Sequence, residues 1–599
     1  MKKINMKQHI THMVRERAKK YGAREVFRFR DKNMQYQPVS WENLIKEINR
    51  VALALDELGF GLVSNIGIFG NNSPQWLMAD LAIMSVRGVT VPFFGNTSLQ
   101  QVRYIVDETE MKLMFVGNEE QLEKAIWLTE NTQTLETIVL LDPELNSPAK
   151  NCYHWNDFIS KLDEKGADAR LGKLIDAVEP DDLATIIYTS GTTGEPKGVM
   201  LGQDNFMFAF NNHDGRLNLD ESDVSLCFLP LSHVFERTWS LYLLHVGATN
   251  VFLENPKEVI EVLPVVRPSL MCTVPRFFEK TYEGIQKEVG TWPNTKQKIF
   301  DWSIKTGHKS IEYKRKSKPL PFGLNLKLKL ADKLVLQKLR KIFGDNVKSF
   351  PCSGAAIRPG LLRYFHAIGI FINFGYGATE TTATVTCYKP DEYEFDSCGT
   401  VMPEVSIKFD ENDEILVKGK SVFRGYYKKP DETTQVLSDG WYRTGDEGHL
   451  TPEGNLIMTD RLRDIIKTSG GKFVSPQKME LLIGQDDYVE QIIAIGDNRK
   501  FISALIVPAF DNLYKYAKGI GIETKDNLEI IEDDRILKFY QDRISKLQEE
   551  LSPYERIVKY TLLHEPFSIE NKALTTTLKI RRKVIELKYR DLIDGMYLG

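Results

Sequence analysis

From Asn65 onward the chain alternates short, continuously apolar runs with longer stretches that carry apolar residues at helical spacing. NIGIFG (65–70), VTVPF (89–93), KLMFVG (112–117) and TIVLLD (137–142) read as buried strands, and segments such as SPQWLMADLAIMSVRG between them as helices. A strand that is apolar at nearly every position needs cover on both faces, which a parallel sheet with crossover helices provides. The pattern resumes in VSLCFLP (224–230), TNVFLE (249–254), SLMCTV (269–274), VKSFPCSG (347–354) and FINFGYG (371–377). It predicts an α/β fold whose large N-terminal domain holds two related, stacked α/β layers. At 599 residues the chain is too long for one compact core, so at least one further domain is expected.

Near Ser397 the texture changes. VSIKFDENDEILVKGKSVFRGYYKK alternates apolar and polar residues around the turn-forming DEND, which predicts a small antiparallel β subdomain over about 397–460. A charged cluster followed by a glycine pair, DRLRDIIKTSGGK (460–472), has the character of a hinge. The expected boundary is Arg463/Asp464, giving an N-terminal domain over 1–463 and a smaller, mobile α+β domain over 464–599. IIAIGDNRKFISALIV should form a hairpin in the latter.

Charge narrows the class. Seventy-eight Lys and Arg against 82 Asp and Glu leave a formal net charge of −4, which argues against wholesale nucleic-acid binding. The first 22 residues are charged and lack the apolar core of a secretory signal. No run approaches the length of a membrane-spanning helix. The six scattered cysteines form no CxxC pair and read as buried thiols. A cytoplasmic protein is expected. One segment, 304–343, is rich in Lys and Arg and poor in acids. It is either a solvated insertion or a peripheral contact with the anionic inner membrane surface.

The densest motif is YTSGTTGEPKG, Tyr188 to Gly198. Glycines, hydroxyls and a lysine at this density suit phosphate. The string is not a Walker A loop, because Lys197 is followed by Gly198 and not by Ser or Thr. Its flanks, LATIIYT and GVML, are both strand-like, so the loop joins two strands. Phosphate binding would then rest on backbone N–H groups, hydroxyls and Lys197.

YTSGTTGEPKG resembles the phosphate-binding signature of the AMP-forming adenylate ligase superfamily, which includes acyl-CoA synthetases, luciferases and peptide-synthetase adenylation domains. FGYGATET (374–381), YRTGDEG (442–448), DRLRD (460–464) and LTTTLKIRR (574–582) follow in that family's order. LPLSHVFER (229–237) is similar to the long-chain fatty acyl-CoA synthetase branch. The resemblance implies ATP-dependent activation of a fatty acid to acyl-AMP with release of pyrophosphate, then transfer to coenzyme A. ATP, Mg2+ and coenzyme A are the implied co-substrates and cofactor.

Residue roles follow from the same resemblance. Thr189, Ser190, Gly191, Thr192, Thr193, Gly194 and Lys197 would cradle the outer phosphates. Glu380 and Thr192 would hold magnesium, which keeps several waters and takes few protein ligands. Thr379 would touch the α-phosphate. Tyr376 would stack on adenine, with Gly354, Ala355 and Ala356 supplying flat backbone and Asn373, Gly375 and Gly377 completing the pocket. Asp446 and Arg461 would grip the ribose. Lys579 would bridge the reacting carboxylate and the α-phosphate. Ser469, Gly470 and Gly471 would face the coenzyme A thiol after the C-terminal domain rotates. His233 is either an acyl-pocket residue or a core histidine.

Two departures matter. Leu578 precedes Lys579 where the family often has glycine, which fits the long-chain branch. No carrier-attachment GGxS sequence follows the hinge, which disfavours a peptide-synthetase module. Two alternatives stand: an acyl-AMP ligase that delivers to an acyl carrier protein, and, more remotely, a non-catalytic nucleotide-binding scaffold.

Overall fold

The computed structural model describes residues 9–145, 149–160, 167–189, 196–461, 466–469, 472–549, 551–568, 570–574 and 580–598, without the side chains of Asp460, Arg461, Lys467, Phe473 and Lys478. Ser190, Gly191, Thr192, Thr193, Gly194, Gly470, Gly471, Lys579, the Arg461 side chain and the Arg463/Asp464 boundary therefore lie outside the described residues.

The chain first forms a hairpin, β1 (Glu25–Arg30) and β2 (Tyr36–Ser40). The main sheet follows with β3 (Asn65–Phe69), β4 (Val89–Phe93), β5 (Leu113–Val116), β6 (Thr137–Leu140), β7 (Cys152–His154), β8 (Leu183–Thr189) and β9 (Lys197–Gly202). Its order is β7-β6-β5-β3-β4-β8-β9, parallel except for the β8–β9 pair. The apolar runs are continuous because both faces are covered. In β5, Leu113 and Phe115 enter one core while Met114 and Val116 enter the other.

The second layer takes β10 (Val224–Cys227), β11 (Thr249–Phe252), β12 (Phe350–Cys352), β13 (Ile372–Tyr376), β14 (Thr386–Cys387) and β15 (Thr400–Val401). The orders are β10-β11-β1-β2 and β12-β13-β14-β15. The expected strand at 269–274 is only a set of isolated bridges: Leu270 pairs with both Ser225 and Ser349, and Thr273 with Cys352. That segment stitches the two strand groups together. The hairpin β1–β2 escapes the apolar-run pattern because it sits at an edge, half-exposed, with Pro38 in its outer strand. Cores from both layers meet in one cluster that joins Phe115 and Val199 to Phe27, Phe252 and Cys272.

Beyond β15 come β16 (Ser406–Phe409), β17 (Glu414–Lys418), β18 (Leu437–Ser438), β19 (Trp441–Leu450) and β20 (Leu456–Arg461), the small β unit read from the sequence. The DEND turn forms as expected: Asp410 Oδ1 accepts from the Asn412 and Glu414 N–H groups, and Asp413 takes φ 58°.

The chain divides into two compact units. The first comprises 1–408, 416–444 and 450–457, and the second 409–415, 445–449 and 458–599. The second unit contains β21 (Ile466–Lys467), β22 (Phe473–Val474), β23 (Val489–Ile495), β24 (Ile502–Pro508) and β25 (Ile557–Leu562). β23 and β24 form the expected antiparallel hairpin, with β25 parallel to β24. Ile492, Ala504 and Ile506 face one helical layer, while Ile493, Leu505 and Val507 face another that ends in Ile585 and Ile593. The result is an α+β unit. All six cysteines are free thiols, and only Cys152 is not fully buried. Among the described residues no helix is long and apolar enough to cross a membrane.

Candidate active site

The glycine motif connects two strands of a hairpin. β8 and β9 pair antiparallel with Thr189 opposite Lys197 and Tyr188 opposite Gly198. That register returns the chain beside its starting point, so Thr189 and Lys197 flank the mouth of the loop. The Thr189 hydroxyl donates to the Lys197 carbonyl at 3.5 Å. Among the described residues both flanks of the loop are strands, as the sequence implied.

The free side of β9 is lined by a segment that the sequence reading passed over, Phe423–Tyr427. Met200 N–H donates to the Gly425 carbonyl, Arg424 N–H to the Met200 carbonyl, and Tyr427 N–H to the Gly198 carbonyl. This places Tyr426 between two of the expected site residues. The Lys197 ammonium stands 5.2 Å above the Tyr426 ring, and the Tyr426 hydroxyl donates to Glu380 Oε1 at 2.9 Å. Phe423 N–H donates to the Glu380 carbonyl. Lys197 also approaches Glu432 Oε2 at 3.7 Å. A lysine ammonium and a glutamate carboxylate thus share one aromatic bracket. Tyr426 and Glu432 carried no signal in the sequence, since neither sits in a spacing that speaks of chemistry.

Glu380 lies in a single 3-10 turn, Thr379–Thr381, directly after β13. Thr381 Oγ1 accepts from Ala378 N–H, and the turn ends with Thr382 and Ala383 at φ 50° and 76°. Two consecutive non-glycine residues in the left-handed region store backbone strain that the surroundings must hold in place. The close return explains Gly377, where a Cβ would stand 1.5 Å from the Ala383 carbonyl oxygen. Thr379 is buried, while Tyr376 closes β13 opposite Thr386, one pair beyond Gly375 and Cys387.

Gly354, Ala355 and Ala356 are exposed at the end of β12, and Gly354 takes φ 93°, where an added Cβ would meet only Val274 Cγ1 at 3.9 Å. That is a bare backbone platform of the kind a flat base needs. Beside it a cavity of about 30 Å³ is lined by Trp239, Ser353, Asn373 and Ala383. This volume suits no more than about one water, so it is not room for an acyl chain. Asn373 is buried with its Oδ1 unpaired, an acceptor waiting for a donor. Platform, orphan acceptor, ammonium and carboxylate together fit a nucleotide with its metal. Among the described residues no group of three or more His, Cys, Asp or Glu gathers as a metal site; a lone carboxylate such as Glu380 would be compatible with Mg2+, which takes few protein ligands.

His233 caps helix α1 (Val234–Val246), its Nδ1 accepting from Phe235 N–H at 3.2 Å. One turn on, Arg237 is wholly buried. It donates to both oxygens of Asp80, at 2.9 and 2.5 Å, and to Thr185 Oγ1 at 2.6 Å, while Thr90 donates to Asp80. The pair pins the first turn of α1 to β4 and β8. Glu236 is equally buried; its Oε1 accepts from the Ser240 hydroxyl at 3.4 Å, and Cys227 and the Leu229 backbone also meet the carboxyl. Burial pushes its carboxyl up to about 8, so it is neutral near physiological pH.

In the second unit, Asp446 lies in β19, nearly buried, and the neighbouring Gly445 N–H donates to Glu414 Oε1. Ser469 is exposed in the turn of the β21–β22 hairpin, where Ile466 pairs with Val474 and Thr468 N–H donates to the Lys472 carbonyl. Leu574 and Ile580, on either side of 575–579, form an isolated bridge. The basic run after Lys579 is not merely solvated. Arg582 donates to Glu480 Oε1 at 2.8 Å and to the Ala494 carbonyl, anchoring that end to β23.

Comparison with known families now decides the matter. The model of the AMP-binding enzyme family matches residues 14–427, and that of the AMP-binding enzyme C-terminal domain matches 463–599. The chain belongs to the AMP-binding enzyme family. This AMP-binding enzyme is 30% identical over 564 residues to the long-chain-fatty-acid–CoA ligase FadD15 of Mycobacterium bovis, covering 92% of this chain and 91% of that one. It is 29% identical to long chain acyl-CoA synthetase 1 of Arabidopsis thaliana, covering 94% and 88%. Among solved structures its fold is similar to the anthranilate CoA ligase AuaEII in complex with anthranoyl-AMP. That match has a TM-score of 0.73 and 16% identity, and covers 99% of both chains. A Mycobacterium tuberculosis fatty acyl CoA synthetase matches with a TM-score of 0.62 and 18% identity, over 98% and 99%.

Proposed function

We propose that this AMP-binding enzyme activates long-chain fatty acids, forming acyl-AMP from ATP and then acyl-CoA. The observation that carries the reading is the Lys197–Tyr426–Glu380 bracket at the mouth of the β8–β9 loop. Adenylation asks little covalent chemistry of a protein: it must align a carboxylate with the α-phosphorus and neutralise the leaving pyrophosphate. Lys197 and the 189–194 loop hold the outer phosphates, and Glu380 and Thr192 hold Mg2+, which offsets phosphate charge. Tyr426 fixes which way the Glu380 carboxylate faces. The Gly354–Ala356 platform, Tyr376 and Asn373 hold adenine, while Thr379 meets the α-phosphate. Asp446 and Arg461 hold the ribose. His233 positions the start of α1 at the acyl side.

Lys579 bridges the carboxylate and the α-phosphate during adenylation, and rotation about Arg463/Asp464 then presents 469–471 to the thiol. The long-chain preference rests on the names of the relatives, which include ligases from bacteria, animals and a plant.

The deciding experiment is mass spectrometry of one reaction: purified protein, Mg-ATP and fatty acids of many lengths, with and without coenzyme A. Acyl-CoA with AMP, weighted to long chains, is expected. Acyl-AMP unchanged by coenzyme A would instead favour delivery to a carrier protein, and ADP or no turnover would overturn the proposal. In the same assay Lys579→Ala should slow adenylation by at least ~10²–10³, the scale of one preorganised electrostatic contact. Thioester formation from preformed acyl-AMP should change far less; equal losses in both half-reactions would remove Lys579 from this role.

A further inference from the structure

The basic segment 304–343 holds ten lysines and two arginines against two acids, Glu312 and Asp332. Its structure is a helical hairpin. Helix α2 (Asn294–Lys314) packs against helix α3 (Phe322–Ala331), which continues through a π-helical turn at Asp332–Leu336 into Gln337–Arg340. The inner face of this rod is ordinary: Ala331, Val335, Leu336 and Leu339 are buried. The outer face is not. Phe322, Leu326, Leu330 and Leu334, spaced by four residues, are 87%, 63%, 52% and 41% exposed. Four residues apart along a helix is one row, so these side chains form an apolar ridge about 18 Å long. Scattered exposed leucines need no explanation, but an unbroken row led by a phenylalanine does.

The charges around the ridge say what it meets. Lys327, Lys329 and Lys333 are exposed within or beside the row, and Lys316 and Lys318 precede it. Among the described residues none of these five lysines has a carboxylate partner. The two acids of the segment are already paired, Asp332 with Arg340 at 2.7 Å and Glu312 with Arg315 and Arg363. An apolar row edged by uncompensated ammonium groups matches a surface that is greasy beneath and anionic above. The long lysine stems allow the charges to lie at headgroup level while the ridge sinks below them.

We propose that α3 docks this enzyme in the plane of an anionic lipid bilayer, with Phe322, Leu326, Leu330 and Leu334 entering the acyl region and Lys327, Lys329 and Lys333 meeting acidic headgroups. The docking stands apart from the ligase reading, since it needs neither nucleotide nor fatty acid. Its use is plain if the substrate is a long acyl chain: the enzyme rests where such molecules concentrate.

The test is co-sedimentation of the full chain, free of ATP and fatty acid, with vesicles of mixed phosphatidylcholine and phosphatidylglycerol or of phosphatidylcholine alone. Binding is expected to the mixed vesicles, to weaken on adding salt, and to be small on phosphatidylcholine. Each lysine contributes roughly fivefold near such a surface, so Lys327→Gln/Lys329→Gln/Lys333→Gln should lower partitioning about 100-fold. Phe322→Ser/Leu326→Ser/Leu330→Ser should abolish it; these positions are exposed, so circular dichroism of both variants should match the parent. Unchanged partitioning of either folded variant overturns the proposal. So does sedimentation equilibrium showing that the parent is a dimer which the serine variant dissolves, since the ridge would then belong to a second copy.

Discussion

Replacing Glu236 by glutamine isolates what it costs to keep a carboxyl where no water reaches. The side chain is fully buried one residue from Arg237, yet that guanidinium is committed to Asp80, and Glu236 Oε2 has no hydrogen-bond partner. Cys227, Ser240 and the Leu229 backbone favour the ionised form, but burial outweighs them and raises the carboxyl from 4.5 to about 8. Between those values the folded chain keeps a proton that the unfolded chain releases. The stabilising contribution is thus full below pH 4.5, declines as pH rises, and is lost by pH 8. Each pH unit inside the window is worth about 1.4 kcal/mol. From pH 6 to pH 8, allowing for the flattening near 8, the parent should lose about 2 kcal/mol relative to Glu236→Gln, whose neutral amide has nearly the same shape. Paired urea titrations of parent and variant at the two pH values, followed by tryptophan fluorescence, read this difference directly. The gap in favour of the variant should already be present at pH 6 and should widen by about 2 kcal/mol at pH 8. A gap that stays constant would mean that the carboxyl is ionised in the fold, and the burial argument would fail.

Three further outcomes follow from the same geometry. Asp80→Ala leaves the Arg237 charge buried without a partner and should cost about 3–5 kcal/mol, whereas Asp80→Leu/Arg237→Met should recover much of it; urea midpoints of the three proteins decide, and a cheap single mutant would refute the network. Tyr426→Phe removes a hydrogen bond to a carboxylate, worth about 1.5–3 kcal/mol, so the Mg2+ concentration for half-maximal adenylation should rise about 10- to 100-fold with an unchanged far-ultraviolet spectrum; an unshifted requirement would separate Tyr426 from the metal. Gly377→Ala forces a methyl into the Ala383 carbonyl and should abolish ATP–pyrophosphate exchange while the second unit still folds; an active variant would show that the 382–383 turn can relax.

Much of the fold was legible because a buried parallel strand cannot hide. β3 to β6 and β8 are apolar on both faces, and their spacing by helical stretches leaves few topologies. The hairpin β1–β2 was not read at all, since an edge strand alternates weakly, and the segment 269–274 was misjudged, since an apolar run can stitch sheets without becoming a strand. Gly354, Gly377 and Glu380 stood out as members of motifs, and the tight backbone at Gly377 and the positive φ of Gly354 show the local demands such motifs reflect. Tyr426 and Glu432 were invisible, because their place beside Lys197 depends on a pairing between β9 and a segment more than two hundred residues later.

Sequence by itself thus determined the layered α/β architecture and the loop between two strands, since these follow from burial period and local turn requirements, while the family's chemistry was implied only by the resemblance of its motifs. Only the tertiary structure decided which residues meet across the chain. It set Tyr426 between cation and carboxylate, committed Arg237 to Asp80, and left one row of apolar side chains on α3 facing outward. Such facts are sums of long-range contacts, and no local pattern of residues contains them.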